Sequence, residues 1–358
     1  MTGPLSLLVA ADASYRQQED EPRSEMSTDR PTIEHYEAAL TLAVRAPSLH
    51  NTQPWRWTVS DGGLELRADR QRQLAATDLD GHGVLLACGA ALQMARLGLQ
   101  ACGWDTTVRR LPDSGDPDLL AVIVPTGRTE VTEDVLRTAR AAARRHTERR
   151  PFAPRPVPEW ALDELRVAAA EPNVYLDYVE RPDDRIELAV ATAWADRYEK
   201  QDAGYRAELD TWTHREADTR EGIPPTAIPR QRGEKARHTD VPVRDFEVGT
   251  LGEVPVGGGG DERPVFGVLF TSADDTESRL RAGEALSRVL VRVEELGLAC
   301  SLMSQPVDFP GVRERVRVLM SWVDHPHMLI RIGWPPGGDR LPPTPRRGVG
   351  EVADLGRS

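Results

Sequence analysis

Residues 46–57 read Ala-Pro-Ser-Leu-His-Asn-Thr-Gln-Pro-Trp-Arg-Trp, and no other stretch restricts the folding of this chain as much. Pro47 and Pro54 bracket a short turn crowded with polar groups. A residue that precedes proline is pushed out of the helical region, so a helix arriving from the N-terminal side has to end near Arg45. The run 55–59 is strand-like, so a strand begins at once. Taken by residue type alone, the joint is a proline-bounded connector with Ser48 and Asn51 as turn-forming side chains.

The other elements follow in order. Residues 1–30 are polar, charged and aperiodic, a disordered tail with Met26 as a second candidate start. Thr32 caps a helix over 34–45, with Ala38, Ala39, Leu42 and Ala43 at helical spacing. Residues 64–68 alternate and pair with 55–59 as a hairpin across Asp61-Gly62-Gly63. A buried helix over 83–101 ends at Leu97-Gly98-Leu99, and strands follow at 106–111 and 119–125. A second series opens with a helix over 130–145, capped by Thr129. It continues with a helix at 158–170, a strand at 174–179 and a helix at 183–199. Residues 211–260 are rich in Pro, Arg and Gly with little periodicity. Then come a strand at 263–271, a helix at 276–296 ending in Leu296-Gly297-Leu298, a short helix at 310–320, a strand at 328–333 and a Pro/Arg-rich tail. The repeated Leu-Gly-Leu, with Ala101-Cys102 after one copy and Ala299-Cys300 after the other, points to an internal duplication.

Composition narrows the function. The net charge of −12 disfavours nucleic acid and anionic membranes as partners. Cys88, Cys102 and Cys300 are odd in number, far apart and without metal-binding spacing, which suits a reduced, cytoplasmic protein. No apolar run reaches the roughly 20 residues of a membrane span. The apolar segment 4–11 lacks a preceding basic region and is not a signal peptide. Gly257–Gly260 lacks the context of a phosphate loop and is a flexible linker. His325-Pro326-His327 has no partner cluster for a metal and is a surface turn.

Against this acidic background, Arg144-Arg145-His146-Thr147-Glu148-Arg149-Arg150-Pro151-Phe152 stands out just past a helix. By charge alone it is a solvated helix end, favoured by the dipole. It also supplies what a phosphate dianion needs, planar bidentate donors and a hydroxyl. Together with the opening turn it carries a specific resemblance. Ala46, Pro47, Ser48, Asn51, Gln53, Pro54 and Trp55 resemble the Ala-Pro-Ser-x-x-Asn-x-Gln-Pro-Trp motif of the flavin-dependent nitroreductase family. Arg145-His146-Thr147-Glu148-Arg149, followed by Phe152 and Pro156-Val157-Pro158, is similar to that family's arginine signature.

The resemblance implies an FMN site assembled from distant segments. Pro47, Ser48, Leu49, His50, Asn51 and Gln53 would lie against the ring and ribityl chain. Arg145, His146, Thr147 and Arg149 would bind the phosphate, joined by Arg346 or Arg347 from Pro345-Arg346-Arg347-Gly348. Met303, Ser304 and Gln305 would pass beside flavin N5, where Pro306 offers no N–H. His50 is not a conventional catalytic histidine, because hydride transfer uses N5 directly.

The ring-side motif lies in the first half of the chain and the phosphate run in the second. Residues 191–199, after a helix of the second half, bear no ring-side motif. The pattern resembles the Acg-type branch of the family, with a dimer fused into one polypeptide and one of its two sites lost. The expectation is therefore an α/β (α+β) protein, a nitroreductase-like fold duplicated in one chain and forming an intramolecular pseudo-dimer. Its parts are a tail at 1–30, a first half at 31–128 and a second half at 129–358, with a lid or insert at 211–260 and a C-terminal arm at 334–358. It would be a cytoplasmic monomer with one FMN per chain. By resemblance it would use NAD(P)H to reduce a small nitro compound or quinone, with no nucleic-acid or membrane partner and no metal. The rival is a protein that stores or sequesters FMN beneath the 211–260 segment, with little reductase activity. A third reading is a structural or regulatory partner without flavin.

Overall fold

The computed structural model describes residues 30–213, 215, 217–228, 241–242, 244, 246, 263–338, 341 and 343–356. The expected tail up to residue 29, the linker Gly257–Gly260, and Arg230 and Arg232 of the insert lie outside the described residues. Helix α1 (Ile33–Ala43) leads through the proline-bracketed turn into a hairpin of β1 (Trp55–Ser60) and β2 (Gly63–Ala68). Helix α2 (His82–Ala101), β3 (Trp104–Arg110) and β4 (Leu119–Arg128) complete the first series. The second comprises α3 (Glu133–Arg144), α4 (Glu159–Ala169), β5 (Val174–Tyr178), α5 (Pro182–Gln201), α6 (Ala203–Trp212), β6 (Val265–Thr271), α7 (Thr276–Glu295), β7 (Ala299–Met303), α8 (Gln305–Asp308), α9 (Pro310–Leu319) and β8 (His325–Gly333). It closes with α10 (Val349–Val352) and β9 (Ala353–Asp354).

The strands form two sheets, in the orders β3-β4-β2-β1-β9 and β5-β6-β8-β7. With β1 to β4 exchanged for β5 to β8, the four antiparallel strands of each sheet occur in one order. The exception is β9, which adds to β1 in parallel. This is a mixed α/β (α+β) architecture.

Helices α2 and α7 pack against each other between the sheets. They meet at Gly89 and Gly283. A methyl group on Gly89 would overlap the carbonyl oxygen of Leu280, and one on Gly283 would overlap that of Leu86. The contact is reciprocal, so Leu86 and Gly89 on α2 answer to Leu280 and Gly283 on α7.

One core lies between the first sheet and α1, α2 and α3, and includes the fully buried Trp55, Trp57 and Trp104. A second packs α4 and α7 on the second sheet, whose other face is covered by α5, α6 and α9. Helix α2 is long and apolar enough to cross a bilayer by length and composition, and 83% of that window is buried inside the protein.

Several expectations change. The first Leu-Gly-Leu does not end a helix. Helix α2 continues to Ala101, and Gly98 is where α1 approaches, its position facing the Cα of Ala39. The second is a true terminus, with Gly297 at φ +69. The two triplets therefore do different work and are not equivalent positions. The counterpart of the opening turn is residues 170–173 between α4 and β5, not 191–199. The α3 cap is Thr132, whose side chain accepts from the Val135 N–H, rather than Thr129. Residues 299–303 form a strand instead of a loop, and His325-Pro326-His327 lies in β8 with His327 fully buried. Helix α3, expected to open the second half, buries Ala139, Ala141 and Ala142 in the core of the first.

Candidate active site

The opening turn is strained. His50, Asn51 and Gln53 have φ values of 47, 59 and 53. Non-glycine residues in this region cost on the order of 1–3 kcal/mol each and persist only where surroundings hold them. The Ser48 hydroxyl accepts from the Gln53 N–H at 2.9 Å. Asn51 Nδ2 donates to the carbonyls of Gly222 (3.0 Å) and Pro345 (3.1 Å). Gln53 Nε2 donates to the Arg220 carbonyl at 2.9 Å, and its Oε1 accepts from the Arg347 N–H at 2.9 Å. The turn thus clasps the insert on one side and the C-terminal arm on the other.

Beside the turn is a cleft that brings together side chains from both series of elements, the insert and the C-terminal arm. Pro47, Ser48, Leu49, His50, Asn51, Arg145, His146, Thr147, Arg149, Met303, Ser304, Gln305 and Arg346 all line it. Gln53 and Arg347 do not. Gln53 is spent on the clasp, and Arg347 reaches the Glu351 carbonyl at 2.5 Å. Arg144 turns outward to Glu294, and Arg150 pairs with Glu148.

One end of the cleft is strongly electropositive. Arg45, Arg145, Arg149 and Arg346 converge there. Arg145 Nη2 donates to the Arg45 carbonyl at 3.0 Å, and Arg346 Nη1 to the Pro345 carbonyl at 3.1 Å. The Nε atoms of Arg145 and Arg346 are buried without a partner among the described residues. Burial pulls Arg145 and Arg149 down to about 10. It holds Arg346 far below the usual guanidinium range, with Arg145, Arg45 and Arg149 adding repulsion. Buried like charges with open donors are complemented by an anion that accepts from several of them.

The opposite wall contains residues that the sequence did not flag. Arg244 Nη2 donates to Glu199 at 2.9 Å and to Asp308 at 2.6 Å. Gln305 Nε2 donates to Glu199 at 2.7 Å, and the Ser304 hydroxyl lies 3.0 Å from Asp308. Burial raises Glu199 above the usual carboxylate range. His50 is held well below the usual imidazole value by burial, then by Arg244 and Arg149, so it is neutral. Ile223, Arg244 and Phe246 of the 211–260 segment line the cleft, and Phe246 stacks beneath Arg149 at 5.3 Å. Pro224 and Ile228 are buried, and Trp212 lies under Arg72 and Arg215. Arg215 and Arg220 pair with Glu221 and Glu351. Arg244 had no signal, standing in an aperiodic stretch. Arg45 and His82 could have been suspected, one from its place beside Ala46 and the other at the start of α2.

No family model matches the chain. An NAD(P)H nitroreductase of Mycobacterium tuberculosis, so named provisionally, is 37% identical over 333 residues, covering 92% of this chain and 94% of that protein. The protein provisionally named NAD(P)H nitroreductase acg, from the same organism, is 36% identical over 332 residues, covering 90% and 96%. Among solved structures, a nitroreductase with bound FMN from Bacteroides fragilis aligns with 59% of this chain and 93% of its own, at 12% identity and a TM-score of 0.36. An NADH dehydrogenase/NAD(P)H nitroreductase structure from Parabacteroides distasonis aligns with 59% and 91%, at 14% identity and a TM-score of 0.35. On the identity and coverage of its mycobacterial relatives, the chain belongs to the nitroreductase family, alongside Acg.

Proposed function

We propose that the chain is a cytoplasmic, monomeric FMN-dependent NAD(P)H oxidoreductase whose two halves act as a fused pseudo-dimer with one flavin site. The observation that carries this reading is the convergence in one cleft of the buried Arg145 with the half-buried Arg45, Arg149 and Arg346, two of the four with Nε atoms that have no partner among the described residues. Arg145, Arg149 and Arg346 would hold the FMN phosphate with Thr147 and His146. The turn Pro47–Asn51 and the segment Met303–Gln305 would flank the flavin. Gln53 and Arg347 belong to the reading as braces. The chemistry supplied by the bound flavin is two-electron transfer from NAD(P)H to a small nitro compound or quinone. The residues of this chain bind and orient it. Neutral His50 and the Arg244–Glu199–Asp308 network fix the polarity of the far wall, and the apolar Leu49, Leu86 and Met303 exclude water.

Ile223, Arg244 and Phe246 in the cleft wall favour a second reading, an FMN-sequestering protein with little turnover. A flavin absorbance spectrum of the purified chain tests the cofactor, and a colourless, flavin-refusing protein removes both readings. Anaerobic NADPH oxidation with a nitroaromatic separates the two. Deleting the segment between Thr213 and Asp240 should raise turnover or loosen FMN if the insert restricts access.

A further inference from the structure

His82, the first residue of α2, lines the cleft and plays no part in the reading above. Its Nε2 lies 3.1 Å from Nδ1 of His327, and the two rings stack 5.3 Å apart at 19°. His327 Nε2 lies 2.5 Å from the Thr271 hydroxyl oxygen, which in turn lies 2.5 Å from the Ala273 carbonyl oxygen.

The proton positions in this chain are determined from its far end. A carbonyl only accepts, so the single Thr271 hydroxyl proton is donated to Ala273. Thr271 must then accept from His327, which places a proton on His327 Nε2. His327 is neutral, because burial, with Arg313 and Arg279 adding to it, holds it down to about 3. Its Nδ1 is therefore bare and accepts from His82 Nε2–H. Burial keeps His82 neutral too, so its Nδ1 carries no proton.

Asp78 anchors the ring's backbone, accepting from the N–H groups of Gly83 at 2.8 Å and Val84 at 2.9 Å. Most of the donors around the cleft are guanidinium, amide and hydroxyl groups. A fixed, neutral acceptor among them is specific for a ligand group that donates.

We propose that His82 Nδ1 is a positioning acceptor of the cleft, held in one tautomer by the His327–Thr271–Ala273 chain, and that it takes an N–H or O–H donor of the bound ligand. On the FMN reading, on which this inference rests, the donor is a ribityl hydroxyl or the ring imide N–H. A ligand that offers only acceptors at this position is refused.

Two measurements on the full-length chain test the proposal. Spectra of ¹⁵N-histidine-labelled protein, with His82 assigned by its loss in His82→Asn, should show the Nε2–H tautomer. Thr271→Val removes the acceptor of His327 without touching the cleft. It should move the proton on both rings, so that His327 donates from Nδ1 to His82 Nε2 and His82 becomes Nδ1–H. In FMN titrations, His82→Leu and Thr271→Val should each weaken binding about tenfold. His82→Asn, whose amide oxygen can stand near Nδ1, should stay within a few-fold of wild type. A protonated Nδ1 in the wild-type protein, or equal FMN affinity for wild type, His82→Leu and Thr271→Val, overturns the proposal. Failure of the wild type to take up any FMN overturns the cofactor reading instead, and the tautomer measurement still decides whether His82 is a fixed acceptor.

Discussion

The two sides of the α2–α7 pair differ in how their charges are met: the cleft beside α2 gathers arginines, and beside α7 the arginines hold carboxylates. On the first side, His82, Gly83, Leu86 and Ala87 of α2 line the cleft together with Arg145 and Arg346, whose Nε atoms have no partner among the described residues. The equivalent positions on α7, reckoned from the Gly89–Gly283 contact, are Thr276, Glu277, Leu280 and Arg281. There the charges are matched. Arg281 pairs with Glu277 at 2.7 Å, Arg288 with Glu171 at 3.2 Å, and Arg110 grips Glu284 through two contacts of 2.7 and 2.8 Å. The turn that joins helix to strand is also shorter, residues 170–173 against residues 44–54. A guanidinium whose fork already holds a carboxylate has nothing left for a phosphate. The two sheets share one strand order, so the difference lies in side chains and one turn rather than in the fold.

The largest expected effect is on the paired side. Arg110→Ala leaves Glu284, 1% exposed, with Arg96 at 3.8 Å as its one remaining ion pair among the described residues. Breaking a buried pair in this way costs about 3–5 kcal/mol. Thermal unfolding should show that loss, while flavin content in the folded fraction stays unchanged. On the other side the effects reverse. Arg145→Ala or Arg346→Ala should weaken FMN binding by about 1.5–3 kcal/mol, tenfold or more. The flavin-free form should lose no stability, because a repelled cation has gone. If Arg110→Ala depletes flavin and Arg346→Ala does not, the two sides have been assigned the wrong way round.

Gly89→Ala and Gly283→Ala probe the helix contact between the two sides. Each inserts a methyl against a facing carbonyl, with a cost of about 1–3 kcal/mol or more. The two losses should be nearly equal in denaturant titrations, and a large inequality would break the reciprocity of the helix contact.

The smallest effect is acid lability of the open side. His50, His82 and His327 have folded-state values below 6.5, so the unfolded chain binds more protons beneath that pH. Stability is then complete above pH 6.5 and falls on acidification, by roughly 1.4 kcal/mol per pH unit for each histidine. Asp78, raised to about 6 by burial, and Glu199 work in the opposite sense. Two raised carboxyls do not cancel three depressed histidines, so the net slope stays downward on acidification. Melting temperatures between pH 7.5 and 5 should follow it, and a level profile contradicts it.

Much of this was legible in the sequence. Proline positions fixed the helix–turn–strand joint, and hydrophobic spacing located α1, α2, α4 and α7 to within a few residues. Thirteen of the fifteen residues singled out for the site line one cleft. The other two, Gln53 and Arg347, brace it, because a polar side chain in a motif can serve the backbone as readily as a ligand. The sequence could not choose between Arg346 and Arg347; the structure turns Arg346 inward. The short strand β7 was missed because Pro306 and its polar neighbours suggested a loop, and β9 because two residues carry no period. Leu-Gly-Leu misled, since glycine ends a helix when φ is positive and admits a neighbouring helix when it is not, and sequence alone does not distinguish these. Arg244 and His82 meet in the cleft, with Glu199 holding Arg244, only through tertiary contacts between distant segments.

The contrast between the arginine-lined cleft and the side whose arginines hold carboxylates is tested most directly by the ratio of flavin to chain. The full-length protein, saturated with FMN and freed of excess, would be denatured and its released flavin measured against chain concentration. One FMN per chain is the expected result, falling towards zero in Arg346→Ala and unchanged in Arg110→Ala. A ratio near two would mean that the Arg110–Glu284 side also binds flavin, and would contradict the one-site reading of the molecule.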